Sequence, residues 1–179
     1  MSETVVLVVD MMNTYEHEDA DALASNVAEI VDPLSKLIFE ARARDDVDLI
    51  YVNDNYGDFS VEFGDLVRNA LNGARPDLVE PIKPDDQCRF MTKVRHSAFY
   101  ATSLAYLLNQ LKPERLVLTG QVTEQCILYT ALDAYVRHFP VVVPSDAVAP
   151  IDADLGAAAL RMMEQNMDAE VIPAAECLR

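Results

Sequence analysis

Basic residues are scarce in this chain: 14 lysines and arginines face 30 aspartates and glutamates, a formal charge of -16 over 179 residues. Nucleic acid and anionic membrane surfaces attract basic proteins, so neither is an expected partner. Glycine is scarce too, and its five residues never form the GxGxxG turn that a dinucleotide-binding strand-to-helix junction requires. No apolar run approaches the ~20 residues of a membrane-spanning helix. Residues 1–10 have no basic lead, and their apolar run is too short for a secretory signal. The cysteines Cys88, Cys126 and Cys177 are scattered, with neither a disulfide framework nor a zinc spacing, which makes a reducing cytoplasm the expected compartment. Half of the residues are apolar, enough at this length for one domain, 1–179, with a sizeable core.

The most informative stretch is 117–129, VLTGQVTEQCILY. Residues 115–118 form a short β-rich run suited to a parallel sheet, and Thr119-Gly120 is expected to end it in a turn. A helix then begins at Thr123, a good N-cap, with Glu124 at the positive end of the dipole and Ile127, Leu128, Ala131, Leu132, Tyr135 and Val136 at helical spacing. Cys126 would stand at N3, among backbone N–H groups without helical partners. With a cationic neighbour, that setting lowers a thiol pKa to roughly 3.5–7.5 and yields a nucleophilic thiolate. Its plain alternative is a small buried apolar residue.

Strand-like and helix-like segments alternate along the rest of the chain. Residues 4–9 are a nearly continuous β-branched run followed at once by Asp10, and 11–21 read as an acidic loop containing His17. A helical pattern covers 25–44, where Asp32-Pro33 either kinks one helix or starts a second. A second strand at 47–52 leads into the turn-rich NDNYG, and a short helix carries Phe63, Leu66, Val67 and Leu71. A loop spans 73–84, and a third, edge-like strand covers 88–91 with Lys93 just beyond it. A helix follows over 97–111, with Ser97 as N-cap. After the central stretch come a strand at 140–143, a helix at 154–167 and a strand at 170–172. This alternation implies an α/β fold, a three-layer doubly wound parallel sheet with helices on both faces.

Ligands of such sheets sit outside the carboxyl ends of the strands. Asp10 follows the first strand, Lys93 the third and Cys126 the fourth, so a base, a cation and a thiol share one rim. Singly, Asp10 reads as a loop cap and Lys93 as a surface cation; jointly they read as a site. Three blocks, VVLVVDMMNTY, KVRHSAF and TGQVTEQCILYTALDAY, resemble the isochorismatase-like cysteine hydrolases, a superfamily of nicotinamidases, N-carbamoylsarcosine amidases and isochorismatases. The resemblance covers nearly the whole chain. It implies a six-stranded sheet in the order 3-2-1-4-5-6, a catalytic triad of Asp10, Lys93 and Cys126, and a cis peptide between Gln121 and Val122. It also implies an oxyanion hole from the N–H groups of Val122 and Cys126, and a homo-oligomer, dimer or larger.

The reaction so implied is cleavage of a C–N amide bond in a small-molecule substrate through a Cys126 thioester. Two alternatives stand beside it: vinyl-ether hydrolysis of isochorismate, which needs no thiol nucleophile, and a non-catalytic binding protein on the same fold. The chain departs from the family where nicotinamidases carry an Asp-x-His metal site, since its second-strand loop reads NDNYGD and His17, His96 and His138 lie on different segments. No metal and no cofactor are therefore expected. Met12 and Thr14-Tyr15 replace a glutamine and an Asp-Phe pair usual in the first block, while Asn13 is kept. Asn13, Tyr15, Asn53, Asn55 and His96 are the candidate pocket residues.

Overall fold

The computed structural model describes residues 3–179. Its first strand, β1 (Thr4–Val9), is buried along its entire length, because both of its faces are covered. Val6 and Val8 enter one apolar core and Val5, Leu7 and Val9 the other, which is why the run shows no polar alternation. On its two edges β1 pairs in parallel with β2 (Val47–Asp54) and β4 (Arg115–Gln121), Val6 lying opposite Leu49 and Val117. β3 (Arg89–Lys93) adds to β2, β5 (Val141–Pro144) to β4, and β7 (Glu170–Ile172) to β5. The order β3-β2-β1-β4-β5-β7 is the one expected for six strands, and a two-residue strand, β6 (Val148–Ala149), pairs with the end of β4 as a seventh.

Helices cover both faces. On one lie α1 (Ala20–Arg42), α2 (Phe63–Leu71) and the single turn α3 (Pro76–Val79); on the other α4 (Leu104–Leu111), α5 (Leu128–Tyr135) and α6 (Ala153–Asn166). The question left open at Pro33 resolves as one helix, which begins at Ala20, five residues before the expected start at 25. Its buried residues Leu23, Val27, Ile30, Leu34, Leu37, Ile38 and Ala41 form one unbroken stripe. Packing along that stripe outweighs the lost N–H of Pro33.

Four other expectations fail for local reasons. The helix expected over 97–111 forms only from Leu104, because side chains upstream take the backbone partners. Ser97 Oγ accepts from Phe99 N at 3.2 Å, and Thr102 Oγ1 donates to Ala98 O at 2.6 Å while accepting from Leu104 N at 3.2 Å. The loop expected over 73–84 contains α3 and a 3-10 turn, Glu80–Ile82, started by prolines at permissive positions. Lys93 is the last residue of β3 rather than a residue beyond it. Finally β4 runs through Thr119-Gly120 to Gln121, with Thr119 Oγ1 donating to Leu7 O at 2.7 Å across the sheet. Gly120 permits this continuation: its φ is +106°, and a Cβ there would lie 2.2 Å from Val9 O.

Candidate active site

Neighbouring strands deliver the polar groups one by one to the carboxyl rim of the sheet. Lys93 ends β3, Asp54 ends β2, Asp10 follows β1, and Gln121 ends β4. Asp10 has a positive φ of 55°, and its N–H donates to Val52 O at 2.9 Å. Its carbonyl accepts from Gln121 Nε2 at 2.6 Å, and Gln121 Oε1 accepts from the Tyr15 hydroxyl at 3.3 Å. These bonds fix where the Asp10 carboxylate points. After the cis peptide Gln121–Val122, the chain turns into a π-helical segment, Thr123–Ile127, whose Ile127 N–H reaches back to Val122 O at 3.1 Å. Cys126 is held within this widened turn rather than at N3 of an α-helix.

Thr123 does not cap this turn as expected; Val122 occupies the cap position, and Thr123 Oγ1 is buried without a partner. Glu124 serves another element, its Oε1 accepting from Ile151 N and Asp152 N at 2.9 Å each. The turn is thereby tied to the start of α6.

The Lys93 ammonium is 0% exposed and lies at the centre of the cluster. Its Nζ is 2.8 Å from Asp10 Oδ2, 3.2 Å from Asp54 Oδ2 and 3.7 Å from Cys126 Sγ. Asp10 Oδ1 also accepts from Asp54 N at 2.7 Å. Burial pulls the Lys93 pKa down, but Asp10, Cys126 and Asp54 outweigh it, and the net shift is upward. Burial raises the Asp10 carboxyl, with Lys93 and a hydrogen bond from the Cys126 thiol holding part of that rise back. The Cys126 thiol is likewise pushed up, by burial first and then by the Asp10 charge, against the pull of Lys93. This departs from the expected low-pKa thiolate: the cationic neighbour is present, but burial and the Asp10 charge outweigh it.

Above the cluster opens a cavity of about 370 Å³ lined by Asp10, Asn13, Gln121, Val122 and Cys126, with His17, Asp19, Leu23, Asp54, Tyr56, Gln125 and Ile151 completing the wall. Of the other candidate pocket residues, His96 approaches from the side, its Nδ1 3.9 Å from Cys126 Sγ and its ring edge-on to Tyr129. Tyr15, Asn53 and Asn55 do not line this cavity. Asn53 clamps Met12 through Met12 N at 2.9 Å and Met12 O at 3.2 Å. Asn55 N donates to Lys93 O at 2.9 Å and so fixes the end of β3. Sequence reasoning missed Asp54 as a partner of Lys93. The signal was available, since Asp54 stands at the same rim as Asp10. His17 and Asp19 were hidden in a segment read only as a loop. Among the described residues, no three His, Cys, Asp or Glu side chains are grouped so as to hold a metal ion.

The isochorismatase domain family matches residues 4–176. An uncharacterized isochorismatase family protein of Bacillus subtilis strain 168, YaaI, is 33% identical over 170 residues, covering 95% of this chain and 93% of that protein. Among solved structures, a cysteine hydrolase from Pseudomonas syringae pv. phaseolicola superposes with a TM-score of 0.79 at 28% identity, covering 99% of this chain and 91% of that one. N-carbamoylsarcosine amidase from Thermoplasma acidophilum superposes with a TM-score of 0.76 at 25% identity, covering 98% of each chain.

Proposed function

The chain belongs to the isochorismatase family, and from that premise we propose that it is a cysteine hydrolase cleaving a C–N amide bond of a small molecule. One observation carries the reading: a buried ammonium, Lys93, touches both the Asp10 carboxylate at 2.8 Å and the Cys126 sulfur at 3.7 Å at the edge of a cavity. The similarity to a cysteine hydrolase and to an amidase supports it. Asp10 takes the thiol proton as the sulfur adds to the amide carbonyl carbon, so the thiolate forms only when it is used. Lys93 stabilises the negative charge as it passes from Asp10 towards sulfur. The carbonyl oxygen becomes an oxyanion, and the N–H groups of Val122 and Cys126, both residues of the cavity wall, are assigned to receive it.

Collapse of the tetrahedral adduct breaks the C–N bond, and Asp10 returns the proton to the leaving nitrogen. Ammonia or an amine departs and leaves a thioester on Cys126. Asp10 then removes a proton from water, which attacks the thioester carbon and releases a carboxylic acid and the thiol. Ammonia release from a panel of carboxamides and N-carbamoyl compounds tests the scheme. Cys126→Ala is expected to abolish release while circular dichroism stays native. Retention of most activity in that variant removes the nucleophile assignment, and no release from any compound by the folded wild type turns the reading towards ether hydrolysis.

A further inference from the structure

The cavity over Cys126 is lined by three carboxylates, Asp10, Asp54 and Asp19, and by no lysine or arginine among the described residues. Lys93, the one cation paired with Asp10 and Asp54 among the described residues, is wholly buried beneath the cavity and already shared between the two. Among the described residues, no ammonium or guanidinium is therefore left in the cavity wall to pair with a substrate anion. Asp19 stands at the exposed rim and precedes α1 without a side-chain capping bond, so its carboxylate is free to face a ligand. His17 lies beside it in the wall. The remaining lining is uncharged or apolar, with Asn13, Gln125, Leu23 and Ile151 available to a neutral body.

We propose that the substrate of this site is an amide whose remote end is cationic or uncharged, that Asp19 is the residue favouring the cation, and that amides bearing a carboxylate are excluded. The inference rests on the amide reading of the site and adds the charge class that the reading leaves open. An anionic substrate would bring its charge into a concave, partly desolvated space already negative, where each like charge a few ångströms away costs about a factor of ten or more in affinity. The same geometry disfavours a dicarboxylate such as an isochorismate-type ether.

The test uses three isosteric primary benzamides that differ only at the para position: aminomethyl, hydroxymethyl and carboxylate. Ammonia release by the wild type gives kcat/KM for each, and calorimetric binding to Cys126→Ala gives affinities where no chemistry occurs. The expected order is aminomethyl at or above hydroxymethyl, with the carboxylate at least about tenfold below. Raising the ionic strength is expected to compress the spread. Asp19→Asn is expected to lower the aminomethyl-to-hydroxymethyl ratio several-fold, and Asp19→Lys to bring the carboxylate closer to the other two. Turnover with the carboxylate equal or preferred overturns the proposal while leaving the amide reading intact. The charge order in binding without any ammonia release keeps the charge assignment and overturns the amide reading. Neither binding nor turnover of the three overturns both.

Discussion

At the scale of single residues, the proposed reaction turns on a proton passed from Cys126 to Asp10 beside the Lys93 ammonium. The thiol of Cys126 and the ammonium of Lys93 are both shifted up from ordinary values of 9.0 and 10.5, and the Asp10 carboxyl is shifted up from 3.8. Asp10 must be ionised to accept the thiol proton, and a raised pKa means that it remains protonated to a higher pH. The acid limb of kcat/KM is therefore expected above pH 3.8, and no alkaline limb below about pH 9. A pH profile of ammonia release with an acid limb at or below 3.8 would show that burial does not raise the Asp10 carboxyl.

Lys93 also carries a structural cost. Lys93→Met leaves Asp10 and Asp54 facing one another without a cation, and losing one partner of a buried ion pair costs about 3–5 kcal/mol. Urea unfolding should register a loss of that size, together with the loss of activity. That Asp10, Lys93 and Cys126 share one rim was legible in the sequence, because each follows or closes a strand there. The upward shift of the Cys126 thiol was not, because it depends first on how deeply the folded chain buries the sulfur and then on the balance of Asp10 against Lys93.

At the scale of elements, the central strands were legible because an apolar run covered on both faces leaves an unmistakable composition. The stretch 97–103 was not, since Ser97 reads as an N-cap ahead of the leucine stripe that starts at Leu104, and only the side-chain bonds of Ser97 and Thr102 divert it. Gly120 was legible as a special position, but as a turn rather than as a residue of β4 packed against Val9 of β1. Its positive φ and the approach of Val9 O leave no room for a methyl group. Gly120→Ala is expected to destabilise the protein by about 3 kcal/mol, measured as a lowered urea midpoint. A neutral outcome would mean that β1 and β4 can separate at the rim without loss.

At the scale of the whole molecule, the dominant property is charge. A formal -16 on a chain of this size makes the folded state repel itself. Moving from about 0.01 M to 0.15 M KCl shortens the screening length from roughly 30 to 8 Å, so Tm is expected to rise with salt. A flat or falling Tm would show that the acidic residues are locally compensated. The parallel order of the sheet followed from alternation together with a family resemblance, while the short seventh strand, β6, left no sequence signal because two residues are too few to set a pattern.

Lys93, Asp54, Asp10 and Gln121 come from four strands that are adjacent only in the order β3-β2-β1-β4, although Asp10 and Gln121 are 111 residues apart. No segment of the chain holds a working fraction of the site. Cys126 comes to Asp10 and Lys93 only where β4 lies against β1, so the proposed chemistry would be switched on by completion of the fold itself, and a partly assembled sheet would carry a cysteine with nothing to activate it.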